Sequence, residues 1–338
     1  MYQGGVDCIS IFAGHTGKGF AQRMCNYLNI PLGDSTTLGF SDGNTFVRIN
    51  DSIRSQDVFL VQPMGNDPNN EFVELLFWID AFKRASANSV TVIMPYFSYA
   101  KGDKKDEPRV SIRARVCAES IELAGADRIV TMELHSPQVQ GFFKVPLDHL
   151  NVNRLYFHYF RRMGMLDSED WVVVSPDTGY AKRARLFANQ FRVPVAIGDK
   201  MRVGHDENAQ VMNIIGDVKG RNCVIIDDFS ASGGTLVDVA RGLKERGAEE
   251  IHVAITHCLL KEEGVRRIEE SPINSFVTTD TLDCEAIAGR RMFRVISAAP
   301  LFAESVRRVH NKSALGVLFD QLPDRLLDQS FAVQTELF

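Results

Sequence analysis

The sequence has no pair of cysteines at Cys-x-x-Cys spacing. Its six cysteines, at positions 8, 25, 117, 223, 258 and 284, are scattered. That removes the spacing used by a dithiol or zinc clip, and buried free thiols in a reducing compartment are the expected state. No apolar run approaches the length of a membrane span, and no signal peptide opens the chain. Membrane insertion and secretion are therefore set aside, and a cytoplasmic protein is expected. A basic excess is also missing. Lys plus Arg number 38 against 43 acids, a net charge of −5, which argues against a general nucleic-acid binder while leaving room for a local basic pocket. What is present is an ordinary soluble composition, 45% apolar and 24% charged. The 338 residues suffice for two domains, each with its own core.

The most informative stretch is 222–236. It begins as a short apolar run, Cys223 to Ile226, of the kind a strand buried on both faces requires. Two carboxylates follow at once, Asp227 and Asp228. Then come small residues: Ser230, Ala231, Ser232, Gly233, Gly234 and Thr235. Residues 236–246 read as an amphipathic helix closed by Gly247. A buried strand, a small-residue loop and a helix N-terminus form an anion site, because loop and helix N–H groups point outward and the helix dipole favours negative charge. Adjacent carboxylates would repel a phosphate but suit the vicinal hydroxyls of the sugar that carries it. A sugar-phosphate site is one reading. An ordinary strand-to-helix turn, where Asp, Ser and Gly are common, is the other.

Along the chain, apolar strand-like runs alternate with helical periodicity. Strands are expected near 8–13, 45–50, 57–62, 90–95, 128–133, 171–175, 195–198, 250–256, 275–279 and 293–296, and helices near 20–28, 71–84, 111–124, 154–163, 181–191 and 264–270. Residues 211–215 are expected to pair back on the strand at 195–198. Residues 38–44 read as a turn, with Asp42-Gly43 a hairpin signal. The glycine-rich run at 14–19 has the wrong order for a phosphate loop and reads as a plain turn. This alternation predicts an α/β protein with mostly parallel sheets. Ligands in such sheets bind at the carboxyl ends of strands. Lys101, His135, Asp177, Lys200, Arg202, Asp227 and Asp228 are all expected at such ends. Two domains are expected, at 1–150 and 151–310, joined through 146–150. A C-terminal segment, 311–338, is expected to pack on the first domain or to form a tail.

Taken together, these segments resemble the ribose-phosphate diphosphokinase (phosphoribosyl pyrophosphate synthetase) family, in colinear order from about residue 9 to 319. The resemblance rests on Gly-Phe-Ser-Asp-Gly at 39–43, Met-Pro-Tyr-Phe-Ser-Tyr-Ala at 94–100 with Asp-Lys-Lys-Asp at 103–106, and Glu-Leu-His-Ser-Pro-Gln-Val-Gln-Gly-Phe-Phe at 133–143. It extends through Val-Ser-Pro-Asp at 174–177, Asp199-Lys200 with Arg202, Ile-Gly-Asp-Val at 215–218, and the stretch at 222–236. The resemblance implies two similar phosphoribosyltransferase-type α/β domains. It also implies transfer of the β,γ-diphosphoryl group of ATP to the C1 hydroxyl of ribose 5-phosphate, releasing AMP. By the same resemblance, Ser230, Ala231, Ser232, Gly233, Gly234 and Thr235 hold the 5-phosphate, and Asp227 and Asp228 the ribose hydroxyls. His135 and Asp177 match positions around Mg²⁺, which keeps several waters and needs few protein ligands. Lys200 and Arg202 match a catalytic basic pair on a mobile loop. Phe40, Asp42 and Asn44 match an adenine pocket contributed by a neighbouring subunit, and Lys101 and Asp103 the loop that handles the ATP phosphates. A homo-oligomer, dimer or hexamer, is implied, with no nucleic-acid or membrane partner.

The chain departs from that pattern at several points. Asn44 stands where the family usually has Glu, and Lys101-Gly102 where it usually has Arg-Gln. Lysine is a point charge without arginine's planar fork, and Gly102 offers no side chain at all. Tyr180 replaces a small residue, Ala231 an Asp and Ser232 a Thr. Ala314 and Gly316 stand where many members carry serines of a phosphate-binding regulatory site, so activation by free phosphate is expected to be weak or absent. Two other readings are a non-catalytic regulatory subunit of the same fold and a phosphoribosyltransferase using the same sugar-phosphate loop. Retention of Lys200, Arg202, His135, Asp177, Asp227 and Asp228 disfavours the first. The N-terminal motifs at 40–43 and 99–106 disfavour the second.

Overall fold

A computed structural model describes residues 9–202 and 210–332, with the side chains of 200–202 and 210–212 outside the description. Cys8 and residues 333–338 also lie outside it. The chain divides into two compact units. The first takes the residues up to 151 together with 281–283 and 297–330. The second takes 152–280, 284–296 and the residues from 331 onward.

The first unit opens with β1 (Ile9–Ala13) and α1 (Lys18–Leu28), then β2 (Ser35–Gly39), β3 (Thr45–Ile49), β4 (Asp57–Val61), α2 (Pro68–Arg84), β5 (Ser89–Met94), α3 (Arg113–Ala124), β6 (Arg128–Met132) and β7 (Leu147–Leu150). Its sheet runs β1-β4-β5-β6-β7, and every pairing is parallel. Sheets of this kind are covered on both faces, which is why Val58, Phe59, Leu60 and Val61 are all buried in succession. Trp78 and Phe82 of α2 stack at 5.5 Å, and Phe82 meets Phe12 of β1 at 5.1 Å. Residues 146–150, expected as a bare link between halves, supply the fifth strand. Leu147-Asp-His-Leu carries little apolar signal because it is an edge strand with one neighbour, β6.

β2 and β3 form a separate antiparallel hairpin with Gly39 opposite Thr45. The turn is therefore 40–44, closed by Phe40 N donating to Asn44 O at 2.8 Å; Leu38 and Gly39 belong to the strand.

The second unit contains α4 (Asn153–Arg162), β8 (Trp171–Ser175), α5 (Ala181–Phe191), β9 (Val195–Arg202), β10 (Gln210–Ile215), β11 (Asn222–Ser230), α6 (Gly234–Glu245), β12 (Ile251–Cys258), α7 (Glu262–Glu269), β13 (Ser275–Thr279) and β14 (Phe293–Ile296). Its sheet runs β10-β9-β8-β11-β12-β13-β14, parallel except for the edge strand β10. From β8 the chain moves outward to β9. From β11, the neighbour of β8, it moves the opposite way to β12. The strand order thus reverses between β8 and β11, the place in such sheets where ligands bind at the carboxyl ends of the strands. The first sheet, running in chain order throughout, has no such reversal.

After β14 come α8 (Ala299–His310), α9 (Val317–Asp320) and α10 (Asp324–Ala332). α8 packs on α1 in the first unit, with Phe302 edge-on to Phe20 at 5.3 Å. His310 Nδ1 meets Asp57 of β4 at 2.8 Å. Among the described residues no helix is long and apolar enough to cross a membrane.

Candidate active site

The strand-order reversal lies between the paired neighbours β8 and β11, whose carboxyl ends stand side by side. β11 is nine residues long and pairs with β8 only through Ile225, so its last residues reach beyond that neighbour. Asp227 and Asp228 lie on this projecting end. Asp228 is 2% exposed. Its backbone N–H donates to Asp227 Oδ1 at 2.9 Å, and Phe229 N–H donates to Asp228 Oδ1 at the same distance. Burial, together with the charges of Asp228 and Asp177, pushes the Asp227 carboxyl well above the ordinary range. Asp177, two residues past β8, is therefore felt electrostatically at the tip of β11.

The loop after Asp228 is held by its backbone. Ser230 O accepts from Leu259 N at 2.9 Å, and Ser232 O accepts from the Arg267 guanidinium at 3.2 Å. Gly233 caps α6 at φ +71°, and a Cβ there would stand 3.1 Å from the Ile268 side chain. Position 233 thus needs glycine for conformation and for space. Gly233 itself makes no side-chain cap, and the first helical N–H, that of Gly234, donates to Ser232 Oγ at 3.4 Å; Ala231, Ser232 and Thr235 around it are exposed. With its carbonyls taken by Leu259 and Arg267, the loop can offer N–H groups to an anion.

Asp177 is exposed, and its Oδ1 accepts from Tyr180 N at 2.9 Å. The Tyr180 ring, larger than the residue expected there, lies 5.4 Å from the Arg183 guanidinium. Lys200 and Arg202 do not sit on a loop. β9 continues through them, with Lys200 opposite Met212 and Arg202 opposite Gln210. Backbone pairing with β10 extends the strand beyond the apolar residues that mark it in the sequence. Their side chains lie outside the description.

The other candidate residues belong to the first unit. His135 is exposed just beyond β6. It follows Glu133, which holds φ +42°, and Leu134 N, which donates to His149 Nε2 at 2.9 Å. A non-glycine residue at that φ marks a constrained turn. Lys101 and Asp103 are half-buried beyond β5 and flank a buried Gly102. Phe40 is 52% exposed at the hairpin turn, with Phe46 at 6.4 Å and Asn44 N donating to Asp42 Oδ1 at 3.0 Å. His135 and Asp177 thus fall in different units, and no cluster of three or more His, Cys, Asp or Glu residues suited to a metal occurs among the described residues.

Sequence reasoning missed Arg267, whose guanidinium fixes the loop through a main-chain oxygen thirty-five residues away in sequence. Its only local signal is a place on the amphipathic helix α7, where it pairs with Glu263 at 3.0 Å. It also missed Gly264, where a Cβ would lie 3.1 Å from Ser232 O.

Two family models match the chain. The N-terminal domain of ribose phosphate pyrophosphokinase covers residues 9–125, and the phosphoribosyl synthetase-associated domain covers 202–320. The ribose-phosphate pyrophosphokinase of Clostridium tetani is 40% identical over 312 residues, spanning 92% of this chain and 97% of that protein. That of Caldanaerobacter subterraneus subsp. tengcongensis is 42% identical over 314 residues, spanning 93% and 98%. The crystal structure of phosphoribosylpyrophosphate synthetase from Mycobacterium smegmatis matches with a TM-score of 0.85 at 35% identity, covering 90% of this chain and 99% of that one. With such relatives matched over nearly their whole length, the chain belongs to the ribose-phosphate pyrophosphokinase family.

Proposed function

We propose that the protein transfers the β,γ-diphosphoryl group of ATP to the C1 hydroxyl of ribose 5-phosphate, giving phosphoribosyl pyrophosphate and AMP. The observation that carries this reading is the tip of β11. There a desolvated carboxylate pair is followed, after Phe229, by a small-residue loop that enters α6 through a left-handed glycine. The N–H groups of Ser230, Ala231, Ser232, Gly233, Gly234 and Thr235 bind the 5-phosphate. Asp227 and Asp228 accept from the ribose hydroxyls, donors that offset the desolvation of these carboxylates. The C1 oxygen attacks the β-phosphorus. The bond from that phosphorus to the α-phosphate oxygen breaks, and the C1 hydroxyl proton is released.

Such a transfer depends on positioning and on neutralising phosphate charge. Lys200 and Arg202 supply that neutralisation from β9. Phe40, Asp42 and Asn44 receive the adenine, and Lys101 and Asp103 the ATP phosphates. Mg²⁺ supplies further neutralisation when bound. It prefers oxygen ligands and keeps waters, which the exposed carboxylate of Asp177 fits, with His135 the second residue that would hold it. A homo-oligomer is part of this reading, supported by the exposed apolar tip of the hairpin at Leu38, Phe40 and Phe46.

Incubation with ATP, Mg²⁺ and ribose 5-phosphate should release AMP and phosphoribosyl pyrophosphate in equal amounts, followed by ³¹P NMR. Binding of ribose 5-phosphate without AMP release would mean a regulatory, binding-only subunit. Lys200→Ala should lower kcat about a hundredfold or more while leaving ribose 5-phosphate binding nearly intact. Equal losses in both would remove the assigned role.

A further inference from the structure

Gly102 and Arg113 exclude one another's alternatives. The first turn of α3 lies against the loop after β5, with Ala114 N donating to Gly102 O at 3.1 Å. A Cβ on Gly102 would stand 2.7 Å from Arg113 Nε and 2.9 Å from Arg113 Cβ. The guanidinium end can swing away; the Cβ cannot. Position 102 is therefore restricted to glycine while α3 begins as it does. The converse also holds: the Arg113 side chain occupies the room that a side chain at 102 would use. Arg113 is exposed, and among the described residues it has no hydrogen-bond or ion-pair partner. Its neighbour Arg115 does have one, Glu119 at 2.9 Å. No acidic residue lies in the first turn of α3, where the helix dipole opposes a cation. Among the described residues its guanidinium is thus left open to an anionic ligand.

We propose that Arg113 binds the ATP phosphates in this chain, its guanidinium standing in for the side chain absent at 102. This rests on the reading of 101–103 as the loop that handles those phosphates. Lys101 provides a point charge on that loop, and Arg113 provides the planar fork that grips a phosphate through two parallel hydrogen bonds. The glycine at 102 is then no loss of function. It is the space that admits the arginine from α3.

The test combines turnover with binding of Mg²⁺-ATP measured by calorimetry in the absence of ribose 5-phosphate. Arg113→Ala should weaken ATP binding and raise the KM for ATP about tenfold or more, with the KM for ribose 5-phosphate and the melting temperature unchanged. Gly102→Gln alone should lower the melting temperature through its clash with Arg113 Cβ. Gly102→Gln combined with Arg113→Gly should recover stability and part of the ATP affinity. An Arg113→Ala protein whose ATP affinity stays within about twofold of the parent, or whose two KM values rise together, overturns the proposal. If the parent binds ATP through Arg113 yet forms no AMP, the proposed reaction fails and this assignment stands.

Discussion

Asp227 weighs on the stability of the free protein as pH rises. Burial and the charges of Asp228 and Asp177 raise its carboxyl above the ordinary value of 3.8. A carboxyl raised in the folded state holds its proton more tightly there than in the unfolded chain. The free protein therefore suffers no penalty below the unfolded value, and an increasing one as pH rises through neutrality. Asp227→Asn keeps an oxygen for the Asp228 N–H and removes the charge. At pH 7 it should raise the melting temperature of the free protein by several degrees, at about 2–4 °C per kcal/mol for a domain of this size. The gain should fade near pH 4, and ribose 5-phosphate should no longer protect the protein against heat. Calorimetric scans across pH check both signs. A melting temperature that fell at pH 7 would mean that the Asp227 charge is compensated in the free site.

At the scale of the element, the β11–loop–α6 unit depends on one left-handed residue. Gly233→Ala forces an L side chain into φ +71° and against Ile268 at 3.1 Å. The conformational strain alone costs about 1–2 kcal/mol. Because Ser232 O is fixed by Arg267, the loop cannot relax freely, and its N–H groups should lose their aim. The expected result is lower stability together with a higher KM for ribose 5-phosphate, while the KM for ATP holds. Steady-state kinetics with each substrate varied in turn decides it, since a change confined to the ATP side would place the loop elsewhere in the reaction. This element was legible in the sequence because its signals are local: an apolar run, two acids, then glycines. β7 was not. Leu147-Asp-His-Leu follows Pro146 and alternates weakly, and only pairing with β6 makes it a strand. β9 was legible only in part, since its extension through Arg202 depends on β10 as partner. No helix was read from the sequence after β14, although Phe302, Leu326 and Leu327 are buried.

At the scale of the whole molecule, regulation is the property on which this chain should differ from its relatives. Ala314 and Gly316 are exposed between α8 and α9, and neither side chain can hold a phosphate by a hydroxyl. Activity at saturating Mg²⁺ should change less than about twofold on addition of inorganic phosphate, since each lost hydroxyl-to-phosphate bond, about 1.5–3 kcal/mol, weakens phosphate binding about tenfold or more. A steep rise would show that phosphate binds through other groups. The thiols are not candidates for such control at Cys25 and Cys223, where burial pushes each up to about 12 and leaves it protonated.

The sequence by itself determined the α/β class, the order of most strands and the run of residue types at the tip of β11. Each of these arises from residues adjacent in the chain, where apolar periodicity and backbone preference act directly. Tertiary structure decided what depends on distant partners. The reversal of strand order between β8 and β11 sets the turn after β11 at the place where such sheets bind ligands. Arg267 fixes that loop through Ser232 O. The approach of α3 to Gly102 puts an arginine where the local sequence offers no side chain. Hydrogen bonds and steric exclusion between segments far apart in sequence leave no local pattern, and so these features became visible only once the chain was folded.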